Sequence, residues 1–284
     1  MSPDRSQTAY AASAADLAVR ALDALRGIGG TAMVAEHVER AEDPKAALAA
    51  IRVVGADTFA PYLLADAVFH PQDAAAVTQS FALFPPPVST PDPPPAGAAE
   101  PWLVAWRDWA MAALLARLAE AEPDGVRAPR PTGAPVLTDP DHSQVSDAPA
   151  GQGSDSHAAH GDGLPTPDSG APDDSGPRDT DWQRWSVRMG QLSPLALPGL
   201  DGPVHSAARA APLALARGAT RAVLRRDFPT AARITRWLAL LGAEGVALPL
   251  DPVPLLAHLR LHGGGPRLAL DVAIARRLLG LETV

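Results

Sequence analysis

Residues 227–242 read DFPTAARITRWLALLG, and the fold turns on this stretch. Ile234, Trp237, Leu238 and Leu241 recur at i, i+3, i+4 and i+7, the spacing that aligns side chains on one face of an α-helix. Asp227-Phe228-Pro229-Thr230 opens the helix, and Gly242 stands where a C-terminal glycine belongs.

The same grammar continues on both sides. Upstream, one helix is expected from about Ser206 to Arg226. Downstream, Pro252 opens a helix carrying Leu255, Leu256 and Leu259, which stops at Gly263-Gly264-Gly265. A last helix runs from Pro266 to about Leu279. Two helical hairpins in tandem are the simplest reading of this half.

The N-terminal residues show the same periodicity in shorter pieces. Leu17, Ala21, Leu22 and Leu25 mark a helix that ends at Gly27, and further starts are expected near Thr31, Asp43-Pro44, Asp57 or Thr58, and His70-Pro71. Starts spaced by 13 or 14 residues suggest stacked, repeat-like short helices. Residues 85–99 begin PPPVSTPDPPP, a run that removes backbone donors and predicts a loop. Glu100-Pro101 then opens a strong helix to about Glu120, with Trp102, Trp106 and Trp109 at i, i+4 and i+7.

Composition agrees with an all-α chain. Hydrophobic residues are 46% of the 284 but aromatics only 5%, so the core must be made of Ala, Leu and Val, and Ala and Leu are strong helix formers. Between Pro123 and Asp181 the character changes: 10 Pro, 8 Gly, 11 Asp and 3 Arg, with almost no large apolar side chain. Such a segment cannot bury enough surface to offset its ordering entropy, so 123–180 is expected to be a disordered acidic linker. The expected organisation is a helical module over 1–122, the linker, and a basic helical module over 181–284. Charge separates the three: −7 before the linker, −8 in it and +7 after it, from counts of eight, three and thirteen basic residues against fifteen, eleven and six acidic ones.

Several function classes lose support. With no Cys there is no disulfide, thiolate nucleophile or Cys-based zinc site. No secretory signal or transmembrane run is evident, so a cytoplasmic location is expected by default. Lys45 is the one lysine against 23 Arg, and Asn is absent. Scarcity of residues with AT-rich codons points to a GC-rich bacterial genome, and it weakens any argument from Arg in place of Lys.

The candidate sites are two. Arg217, Arg221 and Arg225 fall on one line of the expected 206–226 helix, with Arg226, Arg233 and Arg236 across the turn. Together they make a candidate anion or partner face, set against the bland reading of a solvated surface. Trp102, Trp106 and Trp109 before the linker, and Trp182 and Trp185 after it, are packing or partner anchors. The favoured alternative is that the helices flanking the linker pack on each other. His258 and His262 have a metal-ligand spacing with no acidic residue to complete a set, and His262-Gly263-Gly264-Gly265 lacks the sheet that an esterase oxyanion loop needs. No catalytic residue, cofactor or metal site is therefore assigned. The expected function is a non-catalytic interaction protein, an adaptor or accessory subunit with a protein partner. Nucleic-acid binding by the basic module is the alternative, and an all-helical enzyme comes third.

Overall fold

The computed structural model describes residues 3–87, 91–94, 97–119, 133–137, 181–262 and 264–282. The expected linker, 123–180, lies outside the described residues except for 133–137, as do parts of the Pro-rich loop. Every regular element among the described residues is helical.

The N-terminal half holds α1 (Pro3–Leu25), α2 (Met33–Glu39), α3 (Pro44–Val54), a 3-10 turn (Gly55–Phe59), α4 (Ala60–Leu64), α5 (Pro71–Leu83) and α6 (Ala99–Ala119). The C-terminal half holds α7 (Trp182–Gln191), a short 3-10 turn (Ser193–Leu195), α8 (Pro203–Ala210), α9 (Pro212–Leu224), α10 (Phe228–Ala243), α11 (Pro252–Leu261) and α12 (Gly265–Leu278). The starts at 33, 44, 60 and 71 are unevenly spaced, and α2 to α5 have 7, 11, 5 and 13 residues, so the even spacing of start signals does not yield equal units.

Local signals explain most boundaries. The Asp43 carboxylate accepts from the amides of Lys45 (3.0 Å) and Ala46 (3.1 Å), the N-cap bond expected just before Pro44 and worth about 1 kcal/mol. Asp227 and Asp251 cap α10 and α11 in the same way. Three boundaries differ from expectation. Pro212 splits the expected 206–226 helix into α8 and α9, because a proline has no N–H to donate and disfavours helical geometry in the residue before it. Helix α10 continues through Gly242 and stops before Gly245, whose φ of +80° is the left-handed conformation that a helix stop requires. Helix α2 is not capped by Thr31. Its Val34 and Ala35 amides donate to Asp73 of α5 (2.8 and 2.9 Å), a cap supplied from 39 residues away and steadied by the Tyr62 hydroxyl (2.7 Å).

One hydrophobic core runs through both halves. Leu17, Leu25, Ile51, Phe59, Trp106 and Met111 belong to the same packed cluster as Met189, Leu215, Trp237 and Ile274. Helix α1 lies between α3 and α12, α6 packs on both 3-10 turns, and α10 is surrounded by α7, α9, α11 and α12. Trp102 and Trp106 are fully buried, each removing on the order of 200 Å² from water, about 5 kcal/mol at 25 cal/mol per Å². The stretch Pro44–Leu64 is apolar and long enough to span a bilayer, yet most of it is buried within this core as α3, the 3-10 turn and α4.

Candidate functional site

The six arginines read as one face are divided by the structure among four environments. Arg217, Arg225 and Arg226 are exposed on or just beyond α9. Arg221 lies half-buried with its guanidinium 6.0 Å from the centre of the Trp182 ring. Arg233 lies 3.9 Å from Asp271 of α12 and lines a cleft between the two halves. Arg236 is 0% exposed and is removed from any surface, because α10 presents it to two buried carboxylates.

Those carboxylates belong to different halves of the chain. Arg236 donates from Nη2 to Asp57 of the first 3-10 turn and from Nη1 to Asp271 of α12, both at 2.7 Å. Arg267, one turn before Asp271 on α12, donates to Asp57 and reaches Asp271 at 3.3 Å. The tetrad is electrically neutral. Burial pushes the Asp57 carboxyl up, but the two guanidiniums outweigh it and hold the group below its ordinary range. In sequence, Asp57 reads as a helix cap. Its actual role depends on partners 179 and 210 residues away, which no local pattern reveals.

The tryptophans are mostly structural. Trp102, Trp106 and Trp109 stack edge-on along α6, with centroid separations of 6.2 and 5.6 Å. The Trp102 indole donates to the Val136 carbonyl (3.0 Å), and the Arg188 guanidinium of α7 lies 5.6 Å from its ring centre. Helices α6 and α7 thus meet across the segment that separates them in sequence. Trp185 packs half-buried against the common core.

The candidate arginines left exposed lie along a ridge on α9 and just beyond it. Helix α7 lies antiparallel to α9, since Trp182 sits by Arg221 and Ser186 by Gly218. At Gly218 a Cβ would stand 2.3 Å from the Ser186 Cβ, so glycine permits this approach. The outward positions of α9 are Leu213, Arg217, Thr220 and Leu224, and Val187 is exposed on the neighbouring α7. Leu224 is 79% exposed, Leu213 51% and Val187 48%. No family model, curated protein or solved structure matches this chain. Geometry and chemistry therefore carry the functional reading.

Two histidine arrangements bear on catalysis and metals. His258 and His262 approach at 3.2 Å between their Nε2 atoms, and His262 stacks on Phe228 with ring centres 4.0 Å apart. Among the described residues no group of three or more His, Cys, Asp or Glu is placed to hold a metal ion. His37 is buried between α2 and α1, where its Nδ1 donates to Asp16 (3.0 Å) and its Nε2 accepts from the Ser13 hydroxyl (3.1 Å). That tautomer follows from the two partners. Burial, set against the Asp16 carboxylate, pulls the His37 imidazole below its ordinary value. Asp16 is half exposed and shared with Arg20 at 2.8 Å. The amides of Lys45 and Ala46, which line or adjoin the same hollow, are already taken by Asp43. The arrangement anchors α2 to α1.

Proposed function

We propose that the protein is a non-catalytic interaction module of the cytoplasm, which binds an acidic, amphipathic segment of another protein along the α7–α9 ridge. One observation carries the reading: Leu213 and Leu224 stand exposed on the outward face of α9, with Arg217 between them in the helix and Arg225 and Arg226 directly after it, and Val187 is exposed on the adjoining α7. Apolar side chains held in water lose about 25 cal/mol for each Å² left uncovered, and a partner with matching apolar groups and carboxylates recovers it. The charge of the C-terminal half, +7, favours encounter with an acidic partner.

The competing reading is nucleic acid on the same arginines. Strong phosphate binding involves roughly 6–10 contacts. Of the six candidate arginines, only Arg217, Arg225 and Arg226 are exposed, and leucines interrupt them. Protein is therefore the better fit. A second reading, hydrolysis, is favoured by the Ser13–His37–Asp16 hydrogen bonds alone. A fluorophosphonate probe that leaves Ser13 unlabelled removes it.

The test is co-purification of the full chain from its native lysate at low salt, with half the sample treated with nuclease, alongside Leu224→Glu/Arg225→Glu. The expected result is a stoichiometric protein that survives nuclease on the wild type and is absent from the variant. Retained nucleic acid that is lost steeply with salt, or a partner held equally by the variant, refutes the proposal.

A further inference from the structure

A cleft of about 530 Å³ opens where the two halves meet, walled by α1, the end of α3, α6, the 193–195 turn and the start of α12. Its chemistry is cationic. Arg107 of α6, Arg233 of α10 and Arg267 of α12 all line it, against one carboxylate, Glu100. Within this neighbourhood the charges of Arg236 and Arg267 are cancelled by Asp57 and Asp271, and Asp108 is bound to Arg52 at 2.5 Å. Arg233 also reaches Asp271, at 3.9 Å, and Arg107 has Glu100 nearby, so four guanidiniums (Arg107, Arg233, Arg236, Arg267) against three carboxylates (Asp57, Asp271, Glu100) leave one unit of positive charge in a partly enclosed space.

Two groups in the cleft have hydrogen-bonding capacity that the fold does not use. Arg107 has no hydrogen-bond or ion-pair partner among the described residues, although it is half-buried. Burial, with Arg267 and Arg233 close by, draws its guanidinium below the ordinary value, and Glu100 offsets only part of this. Ser193 is fully buried, and its hydroxyl has no partner among the described residues. The Ser193 hydroxyl lies beneath the cleft surface, so the guanidinium of Arg107, half-buried and reachable, is the group that an anion entering the cleft would satisfy. The 14-residue helix α12 also begins here, at Gly264-Gly265, with no side chain among the described residues capping its first amides. Its positive dipole end adds to the same field.

The remaining wall is smooth and apolar. Ala11, Ala14, Ala15 and Ala18 of α1 face the cleft, with Val54 and Leu103. A volume of this size holds more than an inorganic ion and lies within the usual range for small-molecule sites, roughly 300–1,000 Å³.

We infer that this cleft binds a small molecule bearing a phosphoryl group, with Arg107 and Arg233 clamping the phosphoryl oxygens and the alanine face of α1 covering an uncharged body. Guanidinium pairs suit phosphate because their donors match its oxygens in bidentate geometry. The site is separate from the α7–α9 ridge and stands whether or not the ridge binds protein.

Inorganic phosphate and pyrophosphate serve as probes of the full-length protein, with phosphorus NMR reporting binding and thermal melting reporting the fold. Chloride at matched ionic strength is the reference. Both probes are expected to bind saturably and to raise the melting temperature above the chloride reference. Arg107→Gln and, separately, Arg233→Gln should weaken binding at least about tenfold, while Arg217→Gln on the ridge leaves it unchanged. Neither cleft variant removes a member of the buried tetrad, and melting without phosphate verifies that each is folded. Binding that does not saturate, or that is as tight in Arg107→Gln and Arg233→Gln as in the wild type, overturns the inference. So does stabilisation that chloride matches. Should one variant fail to fold, the other decides.

Discussion

Replacing Arg236 with Met tests whether the buried tetrad holds the two halves together. The substitution keeps an unbranched side chain in the same space but leaves Asp57 and Asp271, both buried, to share Arg267, with Arg233 3.9 Å from Asp271. Removing one partner from a buried ion pair costs about 3–5 kcal/mol, chiefly because the abandoned charge stays out of water. A small gain opposes this: the Arg236 Nε is buried without a partner among the described residues, and losing it relieves about 1 kcal/mol. The net expectation is a loss of about 2–4 kcal/mol. With a urea dependence of roughly 2–3 kcal/mol per molar, the unfolding midpoint falls by about 1 M. The double variant Arg236→Met/Asp271→Leu restores balance, one carboxylate to one guanidinium, and should recover about 2 kcal/mol relative to the sum of the single changes. Equilibrium urea unfolding followed by tryptophan fluorescence measures all three variants. A single variant within about 1 kcal/mol of wild type, or a double variant as unstable as the sum of the singles, refutes this account of the tetrad.

Three further outcomes follow from the packing and the charges. Gly218→Val should cost about 1–3 kcal/mol, visible as a lower melting temperature, because a side chain there meets Ser186 and forces α7 from α9. The His205 imidazole is lowered by burial, beyond what its bond to the Leu195 carbonyl (3.0 Å) restores. Its unfolded form therefore takes up the proton first, and stability present above the ordinary imidazole value of about 6.5 is lost as pH falls below it. His205→Gln should flatten that dependence in melting experiments, and an identical slope refutes the assignment; the comparison cancels Asp73 and Asp108, whose raised carboxyls act in the opposite sense. Because one core spans both halves, unfolding followed by near-ultraviolet circular dichroism and by hydrogen exchange of α3 and α10 should give a single coincident transition. Two separated transitions would contradict a shared core.

Sequence patterns revealed the elements better than their assembly. Asp43, Pro44, Pro71, Pro252 and the Ile234–Leu241 stripe act locally, and the helices they predict are present. The division of 206–226 was legible in Pro212, whose missing donor outweighs the continuing apolar stripe. Gly242 was a false stop, since a glycine inside a helix is tolerated when its surface is needed for packing. Here Leu248 and Leu279 lie against it. The site was less legible. Equal spacing made Arg233 and Arg236 look like extensions of the α9 stripe, but a change of helix reverses which side faces water. The fate of Asp57 and Arg107 rests on contacts between residues far apart in sequence, and periodicity has no term for such contacts.

The most direct test of the partner ridge is a photo-crosslinking side chain placed at Leu224, compared in cells with one at Val68, which is also exposed but lies on the N-terminal half. The account predicts one discrete protein adduct from position 224 and none of that mass from position 68. Adducts to nucleic acid from 224, or the same adduct pattern from both positions, would contradict it.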